Sequence, residues 1–149
     1  MATLYKRADW HPLGAELLRD FDRWFDELQV RADQQWAYSM NRVKAKLHME
    51  AAHHSGNAMI LADHYYFLWD KGSMWHSTGT ILIEQAMFAM RPGNLTDAVL
   101  GTEQLAQDQE CQQLAIGSSL AKNDAAFTRL FQRHGFSVQC HRLTKDIHV

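Results

Sequence analysis

Between Thr80 and Phe136 the chain changes pattern four times, and few arrangements in space satisfy all four changes. Ile81-Leu82-Ile83-Glu84-Gln85-Ala86-Met87-Phe88-Ala89-Met90 is an apolar run that stops at the breaker Arg91-Pro92-Gly93-Asn94. The spacing then predicts a helix over Leu95 to Gln112, a buried strand over Gln113 to Ser118, and a second helix over Asn123 to His134 that Gly135 terminates. A strand that delivers into a helix N-terminus is a place where main-chain N–H groups and the helix dipole can hold an anion.

The first half supplies the rest of a mixed fold. Ala2 to Arg7 alternates weakly, as a short first strand does, and Asp9 stands where it could cap a following helix. From Leu13 to Leu28 the apolar positions Leu17, Leu18, Phe21, Trp24 and Phe25 recur at helical spacing. Trp36, Met40, Val43, Leu47 and Ala51 recur at steps of four, three, four and four, giving a second helix that packs this stripe inward and ends at Ser55-Gly56. Ala58 to Ala62, Tyr65 to Trp69 and Thr80 to Met90 read as three sequential antiparallel strands, and Ser137 to Leu143 alternates as a last one.

Composition narrows the class further. At 149 residues the chain has the length of one domain, 1–149, and can bury a core without staples. A hydrophobic content of 46% with five Trp and seven Phe excludes a disordered composition. A formal charge of −2 gives no global field for nucleic acid or an anionic membrane. No uncharged apolar run approaches the ~18–20 residues of a membrane span. Cys111 and Cys140 form no C-x-x-C pair, which fits free thiols in a reducing cytoplasm.

Other chemistries find little footing. His48 and His53 are five apart on one helix and point in roughly opposite directions, so they make no two-histidine metal site, and no metal is expected. Cys140 and His141 are strand neighbours and face opposite sides. There is no Ser-centred elbow, phosphate loop or dinucleotide fingerprint.

The order β, α, α, β, β, β, α, β, α, β, with Met90-Arg91-Pro92 closing the fourth strand and Leu130-Phe131-Gln132-Arg133-His134-Gly135-Phe136 closing the last helix, resembles the GNAT family of acetyltransferases over roughly residues 79 to 147. The resemblance implies an α/β (α+β) fold with a mixed central sheet of about six to seven strands flanked by four helices. In that fold the fourth strand splays from its parallel neighbour, and acetyl-CoA enters the split. Carried over by position, Ala89 and Met90 would meet the pantetheine arm, Leu95, Ala98, Val99 and Leu100 would occupy the diphosphate turn, and Asn123 and Phe131 would face the arm from the last helix. The family carries Arg or Gln where Leu95 stands, and Gly, or Gly/Ala, where Ala98 and Leu100 stand. Glycine serves such a turn because a Cβ obstructs close approach to phosphate.

Glu84 lies six residues before Met90, where the histone-acetyltransferase branch of the family places its general base. A carboxylate in an apolar strand can have its pKa raised toward working pH and accept the proton of an amine nucleophile. Phe131 replaces the Tyr that protonates the departing thiolate in many members, and phenylalanine has no proton to give.

Two functions follow from the resemblance. One is an N-acetyltransferase that moves an acetyl or acyl group from acetyl-CoA to the amine of an unidentified acceptor, in the cytoplasm. The other is a catalytically degenerate member of the fold that serves binding or assembly, as in internal virion proteins of some short-tailed phages. Aromatic residues among the early helices fit a homodimer.

Overall fold

Successive side chains of the central strands enter two different cores. Tyr66, Leu68, Ala86 and Phe88 enter the first, and Phe67, Trp69, Leu82 and Met87 the second, all 8% exposed or less. A sheet apolar on both faces needs a helical layer on each, which sets the architecture. In the computed structural model, residues 3–32, 40–73, 75–76, 78–118, 120–139, 145 and 147 are described.

Five strands form one sheet in the order β1 (Tyr5–Arg7), β2 (Ala58–Leu61), β3 (Tyr65–Ser73), β4 (Thr80–Ala89), β5 (Gln113–Ala115). The first three junctions are antiparallel and β4–β5 is parallel. Helices α1 (Pro12–Arg19), α2 (Phe21–Ala32) and α3 (Arg42–Ser55) supply the first core's helical residues. Helices α4 (Leu95–Asp108) and α5 (Asp124–Arg133) supply those of the second.

The local signals account for most helix ends. Pro12 opens α1, where its missing N–H costs nothing, and Gly56 closes α3 at φ +83°. Asn41, Asn94 and Asn123 cap α3, α4 and α5 by accepting the N–H of Lys44, Thr96 and Ala126. The cap of α1 is His11, whose Nδ1 accepts from the Leu13 N–H, whereas Asp9 pairs with Arg7.

Several expectations need correction. The described residues hold five strands and five α-helices, against six to seven strands and four helices expected. The first helix is broken at Asp20 into α1 and α2. Residues 137–139 are not strand, and residues 140–144, including Cys140 and His141, lie outside the described set, as does Trp36. Helix α3 also buries a different face. Val43 and Leu47 are 69% and 61% exposed, and Met49, Ala52 and His53 face the sheet instead. The reason is a polar contact in the core: His53 Nε2 lies 2.9 Å from the hydroxyl of fully buried Tyr66. A buried phenol left without a partner costs about 1–3 kcal/mol, a penalty that this contact on the observed face removes.

Candidate functional site

Strands β4 and β5 pair over three residues only, Ile81 with Gln113, Leu82 with Leu114 and Ile83 with Ala115. Strand β4 runs on to Ala89 without β5, so the sheet opens from Glu84 onward. A cleft of about 350 Å³ lies along the open part of β4, with Met87, Phe88 and Ala89 in one wall and Asn123, Ala126 and Leu130 in another. Those last three, with Arg133, recur at steps of three, four and three along α5, so one stripe of that helix faces the cleft.

Main-chain polarity is directed into the split. The Met90 N–H donates to the His64 carbonyl at 2.8 Å, which makes Ala89 and its partner Tyr65 a non-hydrogen-bonded pair of the antiparallel ladder. The Ala89 N–H and C=O therefore face away from β3, toward the side β5 has left. Met87, opposite Phe67, is in the same phase. This edge can bind an extended ligand that carries amides, as a strand would.

At the closed end stands Glu84. A β-bulge between Leu68 and Trp69 on the β3 side leaves Gln85 as the extra residue of β4, because Leu68 pairs with Ala86 and Trp69 with Glu84. Gln85 turns to the α3 layer, where its Oε1 lies 3.0 Å from His48 Nε2. Glu84 shares the opposite face with buried Trp69, and its Oε2 accepts the Gly117 N–H at 3.3 Å. Burial pushes the Glu84 carboxyl up to about 7, against the smaller opposing pull of that N–H. Glu84 is half-buried and sits three residues short of Met87, where the cleft wall begins.

The positions read from the sequence divide in two. Ala89, Leu95 and Asn123 line the cleft. Met90 packs against the first core, Ala98 and Val99 are wholly buried in the second, and Leu100 is 36% exposed on the outer side of α4. Phe131 is buried between Phe127 and Phe136, with ring centroids 4.5 and 5.0 Å away. Glycine is used here for packing: a Cβ on Gly93 would lie 2.3 Å from the His64 ring, and one on Gly101 2.6 Å from the Leu4 carbonyl oxygen.

Sequence reasoning did not find Arg31, Tyr65, Lys122 or Arg133 among the cleft residues. Arg31 ends α2 in the other helical layer, and nothing local signals its reach. The α5 stripe from Asn123 to Arg133 was a usable signal, masked by the stronger apolar pair Phe127 and Phe131. Among the described residues no group of three or more His, Cys, Asp or Glu side chains converges on a metal position, and no helix is long and apolar enough to cross a membrane.

This architecture is a mixed α+β fold with one five-stranded sheet between two helical layers. The chain superposes on the crystal structure of a probable acetyltransferase with a TM-score of 0.56, over 90% of this chain and 93% of that one, at 11% sequence identity. At that identity the likeness is one of fold. No protein-family model and no curated protein matches the sequence.

Proposed function

We propose that the chain is a GNAT-type N-acyltransferase that transfers an acetyl or acyl group from acetyl-CoA to an amine. The observation that supports it is the parting of β4 from β5 after Ile83 and Ala115, which leaves an apolar cleft walled by a free strand edge. The pantetheine arm of acyl-CoA is slender and carries two amides, and the Met87 and Ala89 main chain offers it donors and acceptors. The thioester then points to the closed end of the split, where Glu84 stands.

In this reading the amine nitrogen attacks the thioester carbonyl carbon, a C–N bond forms and the C–S bond breaks. The amine's proton passes to Glu84 directly or through water, and the sulfur leaves as a thiolate that takes its proton from solvent. A base with a pKa near 7 suits this task, being ionised in useful amount while still basic enough to take a proton. Phe131 supplies no acid, and a thiol of pKa about 8.5 leaves without one.

A second reading, a binding or assembly protein of the same fold that has lost catalysis, draws on Phe131 and on the buried Ala98 and Val99 where the family has a diphosphate turn. Calorimetric titration with acetyl-CoA separates the two. Micromolar binding that Glu84→Gln preserves, with acylation of amine acceptors lost, establishes the enzyme. Absence of binding at millimolar acetyl-CoA overturns it and leaves the second reading.

A further inference from the structure

The start of α4 is poorly suited to the anion-binding role expected after β4. The Asn94 side chain occupies the Thr96 N–H, and Asp97 adds a negative charge to the first turn. Gly93, the glycine nearest this turn, is filled from one side by the His64 ring. A helix start so arranged is a poor host for two phosphates.

Positive charge gathers instead around the cleft. Arg31 comes from the last turn of α2, in the opposite helical layer, and reaches the split beyond the free edge of β4, where its Nη1–H donates to the Ala89 carbonyl at 3.2 Å. Its side chain is only 13% exposed and its Nη2 is tied to Glu27, so the guanidinium is fixed rather than waving in solvent. Lys122 and Arg133 line the same cleft from the α5 side. No Asp or Glu is among the described lining residues. The volume, about 350 Å³, lies at the small end of ligand sites, which run from roughly 300 to 1,000 Å³.

The geometry points to a site that grips acyl-CoA only as far as the first phosphate of its phosphopantetheine, held between Arg31 on one wall and Lys122 and Arg133 on the other, with the nucleotide half left ungripped. The inference rests on the acyl-CoA reading above. It explains how the chain dispenses with the glycine turn: one phosphate needs a few charge-assisted hydrogen bonds, which the held Arg31 guanidinium and two exposed cations provide without close backbone approach. Arg31 has a further part, because the Ala89 carbonyl it holds is one of the acceptors the pantetheine arm uses. Ligand entry exchanges that carbonyl for a phosphate oxygen.

The experiment titrates three ligands, acetyl-CoA, acetyl-4′-phosphopantetheine and acetyl-pantetheine, into the full chain and into Lys122→Ala/Arg133→Ala, whose changes fall on exposed side chains, with Arg31→Ala as a third protein. The expected result is that the first two bind within about threefold of each other and the third at least about tenfold more weakly, the loss of one charge-assisted contact or more. The double variant brings phosphopantetheine down toward pantetheine. Acetyl-CoA binding tenfold tighter than phosphopantetheine, or a phosphate preference untouched in the double variant, overturns this inference and leaves the acyltransferase standing. Failure of all three ligands to bind the unaltered chain removes both.

Discussion

The Glu84 carboxylate accepts the Gly117 N–H across the point where β4 and β5 part, at 3.3 Å. The last ladder pair, Ile83 with Ala115, lies one residue before Glu84 on one strand and two before Gly117 on the other. A side chain thus continues for one step the link that the main chains give up. The same contact holds the proposed base at the closed end of the split, so the geometry of the split and of the base are set together.

Glu84→Gln should abolish acylation and stabilise the fold in alkaline buffer. The Glu84 carboxyl has its pKa raised from an unfolded value of 4.5 to about 7, so the folded state holds a proton that the unfolded state releases. Below pH 4.5 both states are protonated and nothing is lost. Between 4.5 and 7 stability falls as pH rises, and above 7 the whole penalty is present, on the order of 3 kcal/mol at 1.4 kcal/mol per unit. Glutamine avoids it. Thermal melts at pH 4 and pH 8 should show the variant level with the parent at the lower pH and higher melting at the upper one. Equal melting at both overturns the buried-carboxyl account.

If Glu84 is the base proposed above, the rate of acyl transfer should rise with pH through about 7 and level off above it, because a base acts in its ionised form. Gly117→Pro removes the N–H that favours the ionised carboxylate, so the midpoint of the profile should move upward. Rates measured under subsaturating acetyl-CoA for both proteins check this, and an unmoved midpoint detaches Glu84 from the proton transfer.

Gly93→Ala tests whether this glycine serves packing or a ligand. The added Cβ would fall 2.3 Å from two atoms of the His64 ring, which is 4% exposed and held by its Nδ1 to the Ala62 carbonyl at 2.8 Å. The ring has little freedom to give way. A cost of about 1–3 kcal/mol is expected, which at this chain length lowers the melting temperature by about 2–4 °C per kcal/mol. Acetyl-CoA affinity should hold. A variant that melts normally but binds poorly returns Gly93 to the ligand.

How far these relationships were legible follows from how local each one is. Gly56 and Gly135 as terminators and the apolar run before Pro92 are fixed by a few adjacent residues, and they read directly, whereas Asn94 read only as part of a breaker and proves to be a cap. The bulge at Gln85 is not legible, because the polar pair Glu84-Gln85 reads equally as regular alternation, one side chain to each face, and only the register with β3 shows the extra residue. The outward turn of Val43 and Leu47 is invisible for a related reason: the buried face carries the contact of His53 with Tyr66, thirteen residues away on another element. Arg31 is harder still, since its value comes from a gap in the sheet that only the whole fold creates.

Phe131→Tyr puts a hydroxyl where acid-using members of the resembled family keep one, and it should damage this chain rather than improve it. Phe131 is 4% exposed, packed against Phe127 and edge-on to Phe136, and it is not among the residues lining the cleft. A phenol there loses its water without gaining a partner, at about 1–3 kcal/mol. The expected outcome is a lower melting temperature with no gain in the maximal acylation rate, since the departing thiolate needs no internal donor. A rate increase of tenfold or more would mean that the ring swings into the split when the acyl donor is bound. In that case the aromatic cluster of α5, and not the β4 edge alone, would shape the catalytic end of the cleft.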